Sequence, residues 1–229
     1  MDSQITGFDA QASVKAQVDP THDALRVQAR PTEHVGIGGL IGGHYGVSVY
    51  SGTIAASLAA NSVVFSMRWA DATKVMVLKR LFAWMAITGT PGTLQAFALE
   101  AIRATGFTTS FSANNTNTTP ATSAQKMRTS NMAGSIFSTS GAIQICTTAG
   151  MTGQTYTLDT AGFASGTLPG TVAAGLGGNI PLYDENEFGQ HPLVLSTNEG
   201  FVIRNPIALP STSTVQLGVV ALWLETAAF

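Results

Sequence analysis

Charge is scarce in this sequence. Of its 229 residues only 10% are Asp, Glu, Lys or Arg, against about 25% in an average globular protein. Eleven Lys and Arg stand against 13 Asp and Glu, a net charge of −2. That balance excludes a basic surface that reads nucleic-acid phosphates, a cationic helix lying on a membrane and an acidic disordered tail. Neither nucleic acid nor membrane is expected as a partner. The apolar fraction, 45%, is ordinary, so Gly, Ala, Ser and Thr stand where charges would be. A surface so poor in charge is weakly protected against association. It suits a chain that works inside a homo-oligomer or a larger assembly.

Cysteine is scarcer still. Cys146 stands alone, which excludes an intramolecular disulfide and a Cys-rich zinc site. It lies in the apolar stretch 142–146 and reads as a small buried hydrophobe. No His is near it in sequence to act as the base that a catalytic thiol needs. The four His, at positions 22, 34, 44 and 191, have no metal-ligand spacing.

Long hydrophobic runs are missing too. Residues 35–67 are uncharged but rich in Gly, Ser, Thr and Asn, and residues 81–99 are broken by Gly89-Thr90-Pro91-Gly92. Neither reads as a membrane span. Met1-Asp2-Ser3-Gln4 has no basic start leading into an apolar stretch, so a chain made in a cytoplasm without a secretory signal is expected.

Catalytic motifs are absent as well. Gly162-Phe163-Ala164-Ser165-Gly166 has the wrong offset for a nucleophile elbow. Gly36-Ile37-Gly38-Gly39-Leu40-Ile41 carries Ile41 where a dinucleotide loop needs its third Gly. The densest acidic patch, residues 184–191, offers oxygen ligands but lacks the 12-residue calcium-loop pattern; it reads as a solvated turn. Glu100 and Glu225 are the acids expected on strands of the body, with no evident cleft between them. Trp69, Trp84 and Trp223 all sit in apolar runs and read as core residues rather than as sugar platforms. No catalytic residue, metal ligand or cofactor site is identified.

What is present is β-structure. Residues 45–51 alternate Tyr45, Val47 and Val49 with small or polar residues, and strands are expected again at 63–69, 74–88, 143–146 and 155–159. Residues 93–104 fit a helix stripe or a strand, and the β character of both neighbours favours strand. Residues 110–123 read as a long exposed loop and 162–180 as a loose Gly/Ala-rich stretch. Strands at 191–196, 200–205 and 214–225 close the chain. The last has apolar residues on both faces: Val215, Leu217, Val219, Ala221 and Trp223 on one, Val220, Leu222 and Leu224 on the other. That suits a strand inside a sandwich or at a subunit contact. The expectation is an all-β antiparallel sandwich over residues 44–229. Residues 1–43 hold eight of the charges and few large apolar residues, and read as an extended N-terminal arm. Leu25, Val27 and Ile37 are its candidate contact residues, in an arm that pairs with neighbours through main-chain hydrogen bonds.

The run His191-Pro192-Leu193-Val194-Leu195-Ser196-Thr197-Asn198-Glu199-Gly200-Phe201-Val202-Ile203-Arg204-Asn205 is distinctive. So are Thr214-Val215-Gln216-Leu217-Gly218-Val219, Trp223-Leu224-Glu225, Ser51-Gly52-Thr53, Leu58-Ala59-Ala60-Asn61-Ser62, Phe65-Ser66-Met67-Arg68-Trp69 and Lys126-Met127-Arg128-Thr129-Ser130. Together they resemble small structural proteins of tailed bacteriophages, from about Arg26 to the end of the chain. The resemblance implies a jelly-roll virion component, a head decoration or cement protein, trimeric, whose partners are the phage capsid or other virion proteins. Tail, collar and fibre roles, including a carbohydrate-binding host-recognition module, stay open beside it. Residues 1–25 lie outside the resemblance.

Overall fold

The computed structural model describes residues 18–19, 24–25, 44–89, 95–117, 134–171, 177–185 and 192–226. The chain divides into two units, Met1–His34 and Val35–Phe229. In the first, strands β1 (Val18–Asp19) and β2 (Ala24–Leu25) pair antiparallel, with Leu25 opposite Val18. Val27 and Ile37 lie outside the described residues.

The second unit is a sandwich of two antiparallel sheets. Its strands are β3 (His44–Tyr50), β4 (Ser62–Trp69), β5 (Val75–Ile87), β6 (Gln95–Thr109), β7 (Asn115–Asn117), β8 (Ala142–Cys146), β9 (Thr155–Leu158), β10 (Ala164–Thr171), β11 (Gly177–Asp184), β12 (Val194–Leu195), β13 (Glu199–Asn205) and β14 (Val215–Thr226). One sheet runs β11-β5-β14-β3, with β12 also on β5. The other runs β10-β6-β13-β4-β8-β7, with β9 also on β6. The pairs β3–β14, β4–β13, β5–β11 and β6–β10 are nested in sequence, each enclosing the next. Rolling up such a ladder of pairs gives the jelly-roll order. The non-local pairing leaves the core between two sheets whose inward positions alternate along every strand.

Residues 93–104 resolve as strand from Gln95 onward. Both its neighbours in the sheet are strands, and their ladders outweigh the helical spacing of its apolar residues. Two expected loops are more ordered than composition suggested. In residues 110–123, Phe111 is buried against Phe107 and Tyr156, and Asn115–Asn117 pairs with β8; residues 118–123 lie outside the described set. Within the Gly/Ala-rich stretch 162–180, residues 164–171 form β10 and residues 177–180 begin β11; residues 172–176 lie outside the described set. Its glycines are seats for neighbours: a Cβ on Gly166 would meet Ile180 Cγ2 at 2.1 Å, and one on Gly178 would meet Leu168 Cδ2 at 2.6 Å. Glycine there reports close approach of the two sheets, not looseness.

Inside, Trp69 of one sheet and Trp223 of the other meet the ring of Phe137 edge-on, at 5.2 and 5.4 Å between centroids. Phe137 belongs to a short 3-10 helix (Ile136–Ser138) and is completely buried. That helix is tied to the end of β14 through Glu225. The fully buried Glu225 carboxylate accepts from Ser135 Oγ (2.6 Å), Ile136 N (3.0 Å) and Trp223 Nε1 (3.0 Å). Burial raises its pKa above the ordinary 4.5, against these bonds and the charge of Lys74, which lower it.

The folded chain therefore keeps the Glu225 proton to higher pH than the unfolded chain does. The stability this group contributes is full below 4.5 and is lost as pH rises through the raised value. Melting curves of the protein and of Glu225→Gln, taken from below pH 4.5 to neutrality, should diverge, with the unsubstituted protein losing Tm relative to the variant. Parallel curves would refute a raised folded-state pKa.

Candidate interaction face

The two sheets cover their outer faces differently. On the seven-stranded sheet, Ser66, Ile102 and Val202 are completely buried although they point away from the core. The chain between β6 and β10 does this. Phe111 and Tyr156 close over Phe107, with centroids 5.2–6.0 Å apart, and the Gln144 side chain bonds both the N–H and the carbonyl of Phe111. Phe107 itself lies over Gly200, where a Cβ would come within 2.8 Å of its ring.

The five-stranded sheet has no such cover among the described residues. Its outward residues are apolar in the centre, where a solvated sheet face would carry polar ones. Val220 of β14 stands between Phe82 of β5 and Ser48 of β3; Gly218 stands between Trp84 and Tyr50; Leu222 stands between Arg80 and Gly46. Phe82, Trp84, Val220, Leu222 and Leu224 all remain partly exposed, and Tyr50 is 63% exposed.

Gly218 decides how the aromatic part is built. A Cβ there would come within 2.0 Å of Trp84 Nε1, so any larger residue would lift the indole. With glycine, the ring lies across β14 and reaches Tyr50 on the far strand, 5.6 Å between centroids with planes at 52°. The cation beside this patch is neutralised and held at its margin. Arg80 lies over the Phe82 ring at 5.6 Å and pairs with the buried Asp184 at 2.5 Å. Lys79 pairs with Glu185 at 2.7 Å. Asp184 and Glu185, the first members of the acidic patch, are therefore ion-paired at the end of β11; residues 186–191 lie outside the described set.

The acids expected on strands have no shared cleft. Glu100 is in the seven-stranded sheet, bonded to Arg204 at 2.9 Å and to the N–H of Gly162 at 3.2 Å. Glu225 is sealed inside the other sheet's end. They are also not the only strand-borne acids, since Asp184 and Glu199 lie on β11 and β13. Glu199 pairs with Arg103. Cys146 is completely buried and its thiol is pushed up to about 12 by desolvation, so it is inert near neutrality. Among the described residues no three His, Cys, Asp or Glu side chains come together, and no helix is long and apolar enough to cross a membrane.

Two of the three Trp are core residues; Trp84 is not, because its strand position points outward. The apolar second face of β14 was visible in the sequence. The aromatic residues that extend it on β3 and β5 were not, since their place depends on cross-strand register. No protein family model, curated protein or solved structure matches the chain.

Trp69 and Trp223 are sealed and Trp84 is not. Iodide should therefore quench a single emitting class, and Trp84→Phe should leave a blue-shifted emission that iodide does not reach. Unchanged quenching in the variant would contradict an open outer face.

Proposed function

We propose that the protein is a non-enzymatic structural subunit of a phage virion, of the head decoration or cement kind, working as a homo-oligomer bound to capsid or other virion proteins. The observation that carries the assembly role is the open apolar face of the five-stranded sheet around Trp84, Val220 and Leu222. The sequence resemblance supplies the virion. A jelly roll alone would not separate these possibilities, since the fold serves capsid and lectin domains alike.

The physics of attachment is burial of this face against a partner. A specific interface of standard size removes about 800 Å² from each side, and modest contacts repeated over a shell sum to durable attachment. The poverty of surface charge removes the repulsion that would keep neighbouring subunits apart.

The Trp84–Tyr50 pair favours a second reading. Two adjacent rings on a sheet face offer stacking surfaces for a sugar ring, as a fibre or tail recognition module would use. The aliphatic continuation through Val220, Leu222 and Leu224 adds nothing to sugar binding and favours a protein partner.

Leu222→Lys and Val220→Lys place charges on partly exposed positions and should leave the fold intact, with Tm within a few degrees of the unsubstituted protein. Each should abolish co-sedimentation with phage capsids that the unsubstituted protein binds. Capsid binding unaffected by both substitutions would refute this face as the attachment surface. Loss of binding to a glycan array on Trp84→Ala, with capsid binding retained, would favour the carbohydrate reading.

A further inference from the structure

A sandwich has four sheet edges, and exposed edges invite pairing with other chains unless they are blunted. Three of the four are blunted here. Strand β7 has only three residues. The edge of β6 is occupied by β9 and β10, and the β10 ladder breaks between Leu168 and Thr171. The β11 ladder contains Pro181, breaks between Pro181 and Tyr183, and ends in the ion-paired Asp184 and Glu185.

Strand β3 has none of these devices. It pairs with β14 without a break from His44 to Tyr50, it contains no proline, Lys, Arg, Asp or Glu, and no described strand lies on its other side. Its hydrogen-bonding phase is fixed by Ser51, whose N–H donates to the carbonyl of Leu217 at 2.8 Å in the same register. Alternate residues of an antiparallel strand turn their backbone groups to opposite sides. Tyr45, Val47 and Val49 therefore face β14, and Gly46, Ser48 and Tyr50 turn their N–H and C=O groups outward.

We propose that β3 pairs antiparallel with β3 of a second copy about a twofold axis at Ser48. That register sets Ser48 opposite Ser48 and Tyr50 opposite Gly46. It is the one in which all three outward residues of each copy fall into hydrogen-bonded pairs, each exchanging two bonds. It also places the exposed Tyr50 ring over a glycine, as Trp84 already lies over Gly218 in the same sheet. No like charges meet along the edge. The joined sheets carry the two apolar faces side by side as one continuous surface. The pairing rests on the β3 edge alone and stands whether or not the assembly is a virion.

Light scattering of the full chain should give twice 23.7 kDa, about 47 kDa. Ser48→Lys, which sets two ammonium groups opposite each other, should return it to 23.7 kDa with the melting curve preserved. Ser48→Cys should crosslink to itself under mild oxidation. Paired Cα atoms at such a position are about 5.5 Å apart, within disulfide reach, and the buried Cys146 does not compete. Copies carrying Gly46→Cys should crosslink to copies carrying Tyr50→Cys but not to themselves, since like positions then lie about 13 Å apart along the strand. A monomer, a trimer, a dimer that survives Ser48→Lys, or a dimer in which Ser48→Cys fails to crosslink would each overturn the proposal. Loss of capsid binding in Leu222→Lys with the dimer intact would leave the pairing standing apart from the attachment role.

Discussion

Strand β14 is apolar on both faces, and the rest of the structure follows from how those faces are satisfied. Its inner residues, from Val215 to Trp223, are all but completely buried and form the floor of the core. Its position between β5 and β3 gives it a paired strand along both edges. A strand held so firmly cannot rotate Val220, Leu222 and Leu224 inward, because a shift of one residue would exchange the two faces. Those side chains are therefore fixed at the surface by the same ladder that fixes Trp223 inside.

The chain between β6 and β10 answers the same problem on the opposite sheet. It adds β7, β8 and β9, lays Phe111 and Tyr156 over the outer face and drives Phe137 between the two core tryptophans. Glu225 then ties that insertion to the end of β14. A buried carboxylate is a costly anchor, tolerable only because several donors converge on it. Three donors, from Ser135, Ile136 and Trp223, do so. The insertion thus depends on β14 at a buried carboxylate, while Val220, Leu222 and Leu224 on the other face of β14 stay partly exposed.

The β class, most of the strand sites (β7, β10 and β11 excepted) and the two-faced character of the last strand were legible in the sequence, because alternation and turn residues report local geometry. The order of the sheets was not, since β3–β14 and β4–β13 are contacts between chain ends that no local pattern encodes. Glycines misled most. Gly166 and Gly178, in the stretch read as loose, are each the space that a neighbouring side chain occupies, as Gly218 is within its expected strand. Phe111 was hidden in a Ser/Thr/Asn-rich stretch for a similar reason: one buried ring organises polar neighbours that alone would read as loop. Of the arm residues singled out, Leu25 is in a two-residue strand, and Val27 and Ile37 lie outside the described residues.

The scarcity of charge has a structural counterpart. By count, residues 44–229 carry eight acidic and eight basic side chains, so the net charge of −2 belongs to residues 1–43. Within the body, Lys79, Arg80, Arg103 and Arg204 are each bound to a carboxylate, on Glu185, Asp184, Glu199 and Glu100. Each of these pairs joins residues distant in sequence, and two of them fasten β11 to β5 at a sheet edge. These four pairs hold the body's own strands together and neutralise charge that would otherwise repel neighbours. Among the described residues, what remains is an edge strand without charge beside a partly exposed apolar face, the kind of surface that invites association.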